Sequence, residues 1–306
     1  MALKTIKQKI VAVEKTHKVT RAMEAVSAVK MRKSQERALS ARPYALHAFS
    51  ILKRVRSAIS EREHPLLTPR ANVKNLLLVI VTADKGLAGN LNAQVLKECD
   101  RIIADTGLPN KHIRVFAIGK KAAEYASRKG LFIVRSLHNL SDNVLVGDMR
   151  EVSELAAEMF LKGECDECRI MYTHFISTIS NDVRTRTILP VNERALEKAV
   201  KWARPKIGMF AHAGGENEKT PVNYEFEPGA EEVLSALLPH LLNIEVYHAL
   251  LEAKASEHSA RMVAMKNATE RAEEVGSDLR LIFNKARQAA ITREVSEIVS
   301  GAEAAT

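Results

Sequence analysis

The sequence predicts an α/β protein in which long N- and C-terminal helices form an antiparallel coiled coil around an inserted small, open α/β domain. The first 62 residues contain no glycine and a single proline, Pro43. Strand-like and helix-like segments alternate from about residue 72 to 200, and the chain becomes helical again from Gly229 onward. A helix of about 70 residues at ~1.5 Å per residue reaches about 100 Å. An insert of this size cannot cover that length, so we expect the two terminal helices to pair.

The first predicted helix is strongly basic. Residues 1–60 hold 14 lysines or arginines and three acids, Glu14, Glu24 and Glu36, which gives the segment a charge of +11, whereas the whole chain carries +9. Such a helix suits nucleic acid, an anionic membrane or an acidic protein surface. Charge alone leaves all three partners open.

The middle of the chain predicts a layered domain. Asn75–Thr82 is a continuous apolar run, typical of a buried parallel strand. Strands that alternate with helices indicate an open, Rossmann-like α/β domain. The predicted elements are strand 75–82, helix 90–105, strand 112–119, helix 120–129, strand 131–134, helix 142–161 and strands 167–175 and 184–189.

Glycines and prolines punctuate the segment that follows this domain. They predict an irregular connection with one strand, Val222–Phe226. The predicted division of the chain is an N-terminal coiled-coil helix over 1–62, a globular insert over 72–200, a connection over 201–228 and a C-terminal coiled-coil helix over 229–302.

Heptad patterns predict the faces through which the long helices pair. The first helix begins with a three-four-three stripe that weakens further on, and the last helix carries two apolar rows offset by three residues. The stripe is Leu3, Ile6, Ile10 and Val13; the rows are Met265, Ala272, Leu279 and Ala286, and Ala268, Val275, Ile282 and Ala289. Pro43 and Pro239 leave open a compact domain of shorter helices instead.

Two short motifs are candidates for chemistry, and a structural role explains each more simply. Thr82–Asn90 joins a strand to a helix, where α/β proteins often bind phosphate, but it matches neither the P-loop nor the dinucleotide pattern. Cys165 and Cys168 form a C-x-x-C without the second ligand pair of a zinc site. The ten histidines show no metal-binding spacing. The sequence therefore predicts no catalytic residue, metal or cofactor.

Segments at opposite ends of the chain resemble one known family. Lys18–Lys33, and Ser256–Thr269 with its continuation Asn284–Ala302, are similar to the gamma subunit of F-type ATP synthases. The turn Thr82–Asn92 also resembles that family's loop after the first strand of the insert, with Ala88 where a cysteine is common. The resemblance covers nearly the whole chain and is weak in the insert apart from this turn.

The resemblance implies a non-catalytic central-stalk rotor that couples ion flow through a membrane c-subunit ring to ATP synthesis or hydrolysis. It implies that the paired helices turn inside a ring of three alpha and three beta subunits, and that the insert contacts the c ring and the epsilon subunit. It implies no bound nucleic acid, nucleotide or cofactor. Membrane contact is expected only through the complex, at the cytoplasmic face of a bacterial inner membrane rather than in mitochondria.

Six residues match the family's contact positions. The resemblance implies that Met23, in the first helix, lies near the acidic loop of a beta subunit, and that Arg261 makes its contact from the matching motif of the last helix. It also implies that Gln288 and Thr292 face the beta subunits further along the last helix, and that Tyr224 and Glu227 lie where the family meets the c ring.

The residues alone also allow two functions of other classes. One is a basic coiled-coil protein that binds nucleic acid, which predicts steeply salt-dependent binding. The other is a nucleotide-using enzyme centred on Asp84–Gly89, which predicts that the insert binds nucleotide.

Overall fold

The computed structural model describes residues 3–58, 64–191 and 227–303. These residues form five helices and five strands. The helices are α1 (Leu3–Ala58), α2 (Leu91–Thr106), α3 (Lys120–Lys129), α4 (Arg150–Leu161) and α5 (Ala230–Glu303), and the strands are β1 (Leu76–Val81), β2 (Ile113–Ile118), β3 (Phe132–Leu137), β4 (Glu167–Phe175) and β5 (Asn181–Leu189). The predicted fold class, long terminal helices with an α/β domain between them, is confirmed.

The described residues fall into two compact units. The first contains the residues up to Ala28 together with those from Arg261 onward, and the second is Val29–Ala260. Pro43 and Pro239 lie inside α1 and α5. Neither proline ends its helix, so the alternative of shorter terminal helices is wrong.

The second unit contains a sheet with the strand order β3-β2-β1-β4-β5. The first four strands are parallel, and β5 runs antiparallel to β4 at one edge. All six residues of β1 are buried because helices cover both faces of the sheet. Leu77, Val79 and Val81 pack with α4 and α5, whereas alternate residues of the strand pack with α2 and α3.

Three predicted boundaries within this unit differ from the structure. The helix predicted from Asp142 begins at Arg150, after a short 3-10 helix over Val146–Met149. β3 extends to Leu137 through its pairing with β2, and β5 begins at Asn181, opposite Phe175. These extensions are polar or half-buried, so their apolar pattern is weak. The strand predicted at Val222–Phe226 lies outside the described residues.

In the first unit, α1 and α5 run antiparallel. Val13 lies beside Gly276, and Thr20 is hydrogen-bonded to Thr269, so the numbering falls on one helix as it rises on the other. Two opposite ends of the chain therefore meet here, as the coiled-coil prediction required.

One of the two predicted rows on α5 is wrong in its second half, since Ala268 and Val275 are half-buried but Ile282 and Ala289 are exposed. The row that begins at Met265 lies buried or half-buried, but Ile282 of the other row is 48% exposed. The second row of the seam is offset by four residues rather than three. It consists of Thr269, Gly276, Phe283 and Ala290.

Part of α5 is long and apolar enough to cross a membrane by length and composition alone. That segment lies within Glu232–Ser300, and 56% of its most apolar window is buried inside the fold. Leu234, Leu238 and Leu250 belong to the core that covers the sheet. Packing against the sheet accounts for the hydropathy of this segment.

Candidate functional site

The interface of the helix pair in the first unit is made by small and polar residues as well as apolar ones. The side-chain oxygens of Thr20 and Thr269 lie 2.7 Å apart in a buried position. The Thr269 hydroxyl donates to the Thr20 oxygen across the interface, and the Thr20 hydroxyl donates to the His17 carbonyl of its own helix. Gly276 has no side chain, which lets the two helices approach closely beside Val13.

The outer surface of α1 in this unit is cationic. Its lysines and Arg21 are exposed, whereas Glu14 and Glu24 are half-buried. Arg280 of α5 pairs with Glu14 at 2.6 Å and offsets its charge. The exposed cations are Lys4, Lys7, Lys9, Lys15, Lys18 and Arg21. This helix therefore presents positive charge to any partner that surrounds it.

The C-terminal part of α5 is fully accessible. Every residue from 291 to 300 is exposed. Ile291, Val295 and Ile298 recur at intervals of four and three, so they lie along one side of the helix. A soluble helix with an exposed apolar stripe is typical of a surface that a partner covers.

Four of the six predicted contact residues lie in the first unit. Met23 and Arg261 are half-buried, while Gln288 and Thr292 are exposed. Gln288 and Thr292 share one side of α5, and the Thr292 hydroxyl donates to the Gln288 carbonyl at 3.0 Å.

The other two predicted residues belong to the segment before α5. Glu227 is exposed, two residues before Gly229. Tyr224 lies outside the described residues.

Polar groups of the glycine-containing turn after β1 form hydrogen bonds with other parts of the protein. The Asp84 carboxylate accepts hydrogen bonds from the backbone N–H of Lys120 and of Asn139, both at 2.9 Å. Lys120 is the first residue of α3, so the carboxylate lies where α/β proteins commonly bind a phosphate. Asn92 accepts a hydrogen bond from the Ala83 N–H at 3.0 Å. The turn is therefore used for internal bonding, as the structural interpretation predicted.

The two thiols of the C-x-x-C motif are buried in the fold. Cys99, Cys165 and Cys168 are all buried free thiols. Burial, followed by the nearby Asp166 carboxylate, raises the pKa of Cys165 to about 12, and burial raises the pKa of Cys168 well above its ordinary value. Thiols that stay protonated are poor nucleophiles and poor metal ligands. The described residues also contain no cluster of three or more potential metal ligands.

Charged groups cluster around Asp142, in the loop between β3 and α4, and no sequence motif predicts this cluster. Lys30 of α1 and His258 of α5 reach its carboxylate at 2.8 and 3.1 Å. The partners are more than 100 positions apart in the chain, and Asp142 itself follows a pattern typical of a helix start. Only the tertiary fold brings these groups together.

Comparison with known proteins gives a consistent result over the full length. The family described as ATP synthase matches residues 2–305. The chain is 34% identical to the ATP synthase gamma chain of Chlorobium phaeobacteroides, over 99% of this chain and 98% of that protein. It is 39% identical to the ATP synthase gamma chain of Roseiflexus castenholzii, over 98% of this chain and 97% of that protein.

Solved structures share the fold. The central stalk and c-ring structure of the Tetrahymena thermophila mitochondrial ATP synthase contains a chain with a TM-score of 0.61 and 24% identity, covering 82% of this chain and 99% of that one. The rotor structure of the Euglena gracilis mitochondrial ATP synthase gives a TM-score of 0.60 at 17% identity, over 94% and 98% of the two chains.

Proposed function

The chain belongs to the family of ATP synthase gamma chains and is a non-catalytic central-stalk subunit, and we propose that its helix pair rotates inside a ring of three alpha and three beta subunits. In this proposal the insert contacts the c ring and the epsilon subunit, and rotation couples ion flow to ATP synthesis or hydrolysis. The complex is membrane-associated, and the proposed location is the cytoplasmic face of a bacterial inner membrane.

The observation that carries the proposal is the helix pair itself. Its inner seam contains threonines and a glycine, its α1 surface is cationic, and the last part of α5 is exposed. A rotor must leave each angular position readily, and a deep apolar interface with its surroundings would cost several kcal/mol to break at each step. Positive charge that faces acidic loops attracts over a longer range and varies smoothly with angle.

We further propose contacts for the six predicted residues. Met23 contacts an acidic loop of a beta subunit, Arg261 contacts a partner subunit from the matching motif on α5, and Gln288 and Thr292 contact beta subunits further along α5. Their position on exposed or half-buried faces of the helices supports this assignment. Tyr224 and Glu227 are proposed to contact the c ring.

Assembly tests the proposed function directly. The full chain is co-expressed with the alpha and beta subunits of the same organism, and the purified material is analysed for composition and ATPase activity. We expect a complex with three alpha, three beta and one copy of this chain, and with higher ATPase activity than alpha and beta alone. Failure to form that complex would overturn the proposal.

A truncation tests the contacts near the end of α5. Deleting Gln288–Thr306 should reduce ATP synthesis in the assembled enzyme more than it reduces binding of the insert to epsilon. Residues 291–300 are all exposed and contribute little to the described core, so the remaining chain is expected to fold. ATP synthesis at the wild-type rate would contradict the contacts assigned to Gln288 and Thr292.

The two alternative functions receive no such support. The comparisons give no link to nucleic-acid binding. The nucleotide-using enzyme needed a phosphate site at Asp84–Gly89, and Asp84 instead bonds two backbone amides of its own domain.

A further inference from the structure

Asp142 connects the insert to both long helices within the second unit. Its carboxylate lies 2.8 Å from Nζ of Lys30 in α1 and 3.1 Å from Nε2 of His258 in α5. Nζ of Lys254, also in α5, is 4.0 Å away. One carboxylate thus serves cationic or potentially cationic groups from two helices that are distant in the sequence.

The backbone of the same loop is held by the same helices. Arg37 of α1 donates to the Asp142 carbonyl at 2.7 Å, and Lys254 donates to the Leu140 carbonyl at 3.1 Å. The Tyr247 hydroxyl reaches the Val144 carbonyl at 3.4 Å. The loop is therefore fixed both through its backbone carbonyls and through the Asp142 carboxylate.

The balance of charge explains why the carboxylate matters. Partial burial alone would raise the pKa of Asp142, but the Lys30 hydrogen bond and the nearby His258 and Lys254 outweigh it and lower the pKa. The carboxylate is accordingly ionised at neutral pH. Without it, Lys30 and Lys254 would face one another around an uncharged group, and their mutual repulsion would favour separation of α1, α5 and the loop.

We propose that Asp142 is a positioning residue that locks the insert to α1 and α5, so that torque passes between them without slippage. The inference rests on the proposed stalk function. A rotor that joins an α/β insert to a helix pair transmits torque only if the insert does not turn independently of the helices. α5 has further attachments to β4, including the buried pair of His174 and Glu252 at 2.6 Å. Lys30 and Arg37 of α1 both bond to Asp142, and His258 of α5 bonds to the same residue. Asp142 therefore connects both helices to the insert.

The test compares Asp142→Asn with a matched control, Glu151→Gln. Glu151 also pairs with a cation of the same unit, Arg135, and its carboxylate is about as exposed as that of Asp142, but both residues of this pair belong to the insert. Hydrogen exchange of backbone amides over residues 138–145 is measured in the assembled complex. We expect exchange about tenfold faster in Asp142→Asn, the change that follows from losing one charge-assisted hydrogen bond, and no change in the control.

The functional readout is ion pumping per ATP hydrolysed, measured in inverted membrane vesicles that carry the assembled enzyme. Asp142→Asn should retain ATP hydrolysis while losing pumping per ATP, and Asp142→Glu should restore much of it because the charge returns. Faster exchange with unchanged pumping would show a local structural role only and would overturn the proposal. Unchanged exchange would overturn it as well.

A charge exchange separates a shared carboxylate from a simple ion pair. In the double variant Lys30→Asp with Asp142→Lys, the pair with α1 is re-formed with reversed charges, but the new lysine faces Lys254 and His258 of α5. We expect pumping per ATP to remain impaired. Full recovery would show that the contact with Lys30 alone is sufficient and would refute the shared lock. Failure of the proposed function is distinguishable, because the wild-type chain would then not assemble with alpha and beta.

Discussion

Glu245 offers the clearest test of how burial acts in the second unit. It lies on α5 between the core residues Ile244 and Val246, which pack over the sheet. Burial raises the pKa of its carboxyl from 4.5 to about 7, although the Arg186 guanidinium acts in the opposite direction. The native state therefore keeps a proton on Glu245 at pH values where the unfolded chain has released it.

The sign of the pH dependence follows from this proton. Between pH 4.5 and about 7 the native state binds more protons than the unfolded state, so its stability falls as pH rises through this window and then levels off. The full difference corresponds to about 3 kcal/mol. Since Glu245 keeps some exposure, we expect Glu245→Gln to be about 1–3 kcal/mol more stable than wild type at about pH 8, and nearly equal to it near pH 4.5.

Urea unfolding of the full chain, followed by circular dichroism at both pH values, measures this difference. Glu232→Gln is the matched control, because Glu232 is an exposed acid on the same helix. The control should shift stability little at either pH. An advantage of Glu245→Gln that is the same at both pH values would refute the reasoning, since it would show that the carboxyl ionises without a burial cost.

Two further predictions concern close contacts. Gly119→Ala should destabilise the chain by more than about 3 kcal/mol in urea unfolding, because a Cβ there would lie 2.1 Å from the Thr82 carbonyl oxygen. Gly130→Ala, which is also at a positive φ but has open space around it, should destabilise the chain by only about 1 kcal/mol. Thr269→Val should lower the free energy of unfolding by about 1 kcal/mol. Adding Thr20→Val should lower it by less than Thr269→Val does, because the two hydroxyls share one hydrogen bond. Equal costs for the two glycines, or strictly additive costs for the two threonines, would contradict these contacts.

The sequence pattern predicted the central strands well because both faces of these strands are buried, which requires apolar residues throughout. β1 is apolar at every position, and a strand covered on both faces needs that composition. The second row of the helix seam was missed for a related reason. Thr269 and Gly276 are buried by helix approach and by a hydroxyl contact, neither of which raises the hydrophobicity of the sequence. A heptad pattern of apolar residues therefore places Ile282 in the seam, although its side chain is exposed.

The partners of the Asp84 and Asp142 carboxylates could not be predicted from the sequence, for a different reason. In the sequence, Asp142 stands at the start of a predicted helix and Asp84 stands in a strand-to-helix turn. The roles of both depend on partners that follow from the topology. The Asp84 partners, Lys120 and Asn139, come from the ends of the next two strands. Family resemblance could indicate the contact positions on the long helices, but it was weak in the insert, where these two carboxylates lie.

The location of these carboxylates shows how the strand ends of this open α/β sheet are used. In such sheets ligands usually bind at the carboxyl ends of the parallel strands. In this protein the loops at that edge bond to the chain itself: Asp84 after β1 bonds to the segments after β2 and β3, and Asp142 after β3 bonds to α1 and α5. The loop after β4 is held as well, since the Ser259 hydroxyl of α5 donates to the Thr178 carbonyl at 2.6 Å. The edge that binds substrate in related architectures is used here to attach the domain to the long helices, which is what a stalk subunit requires.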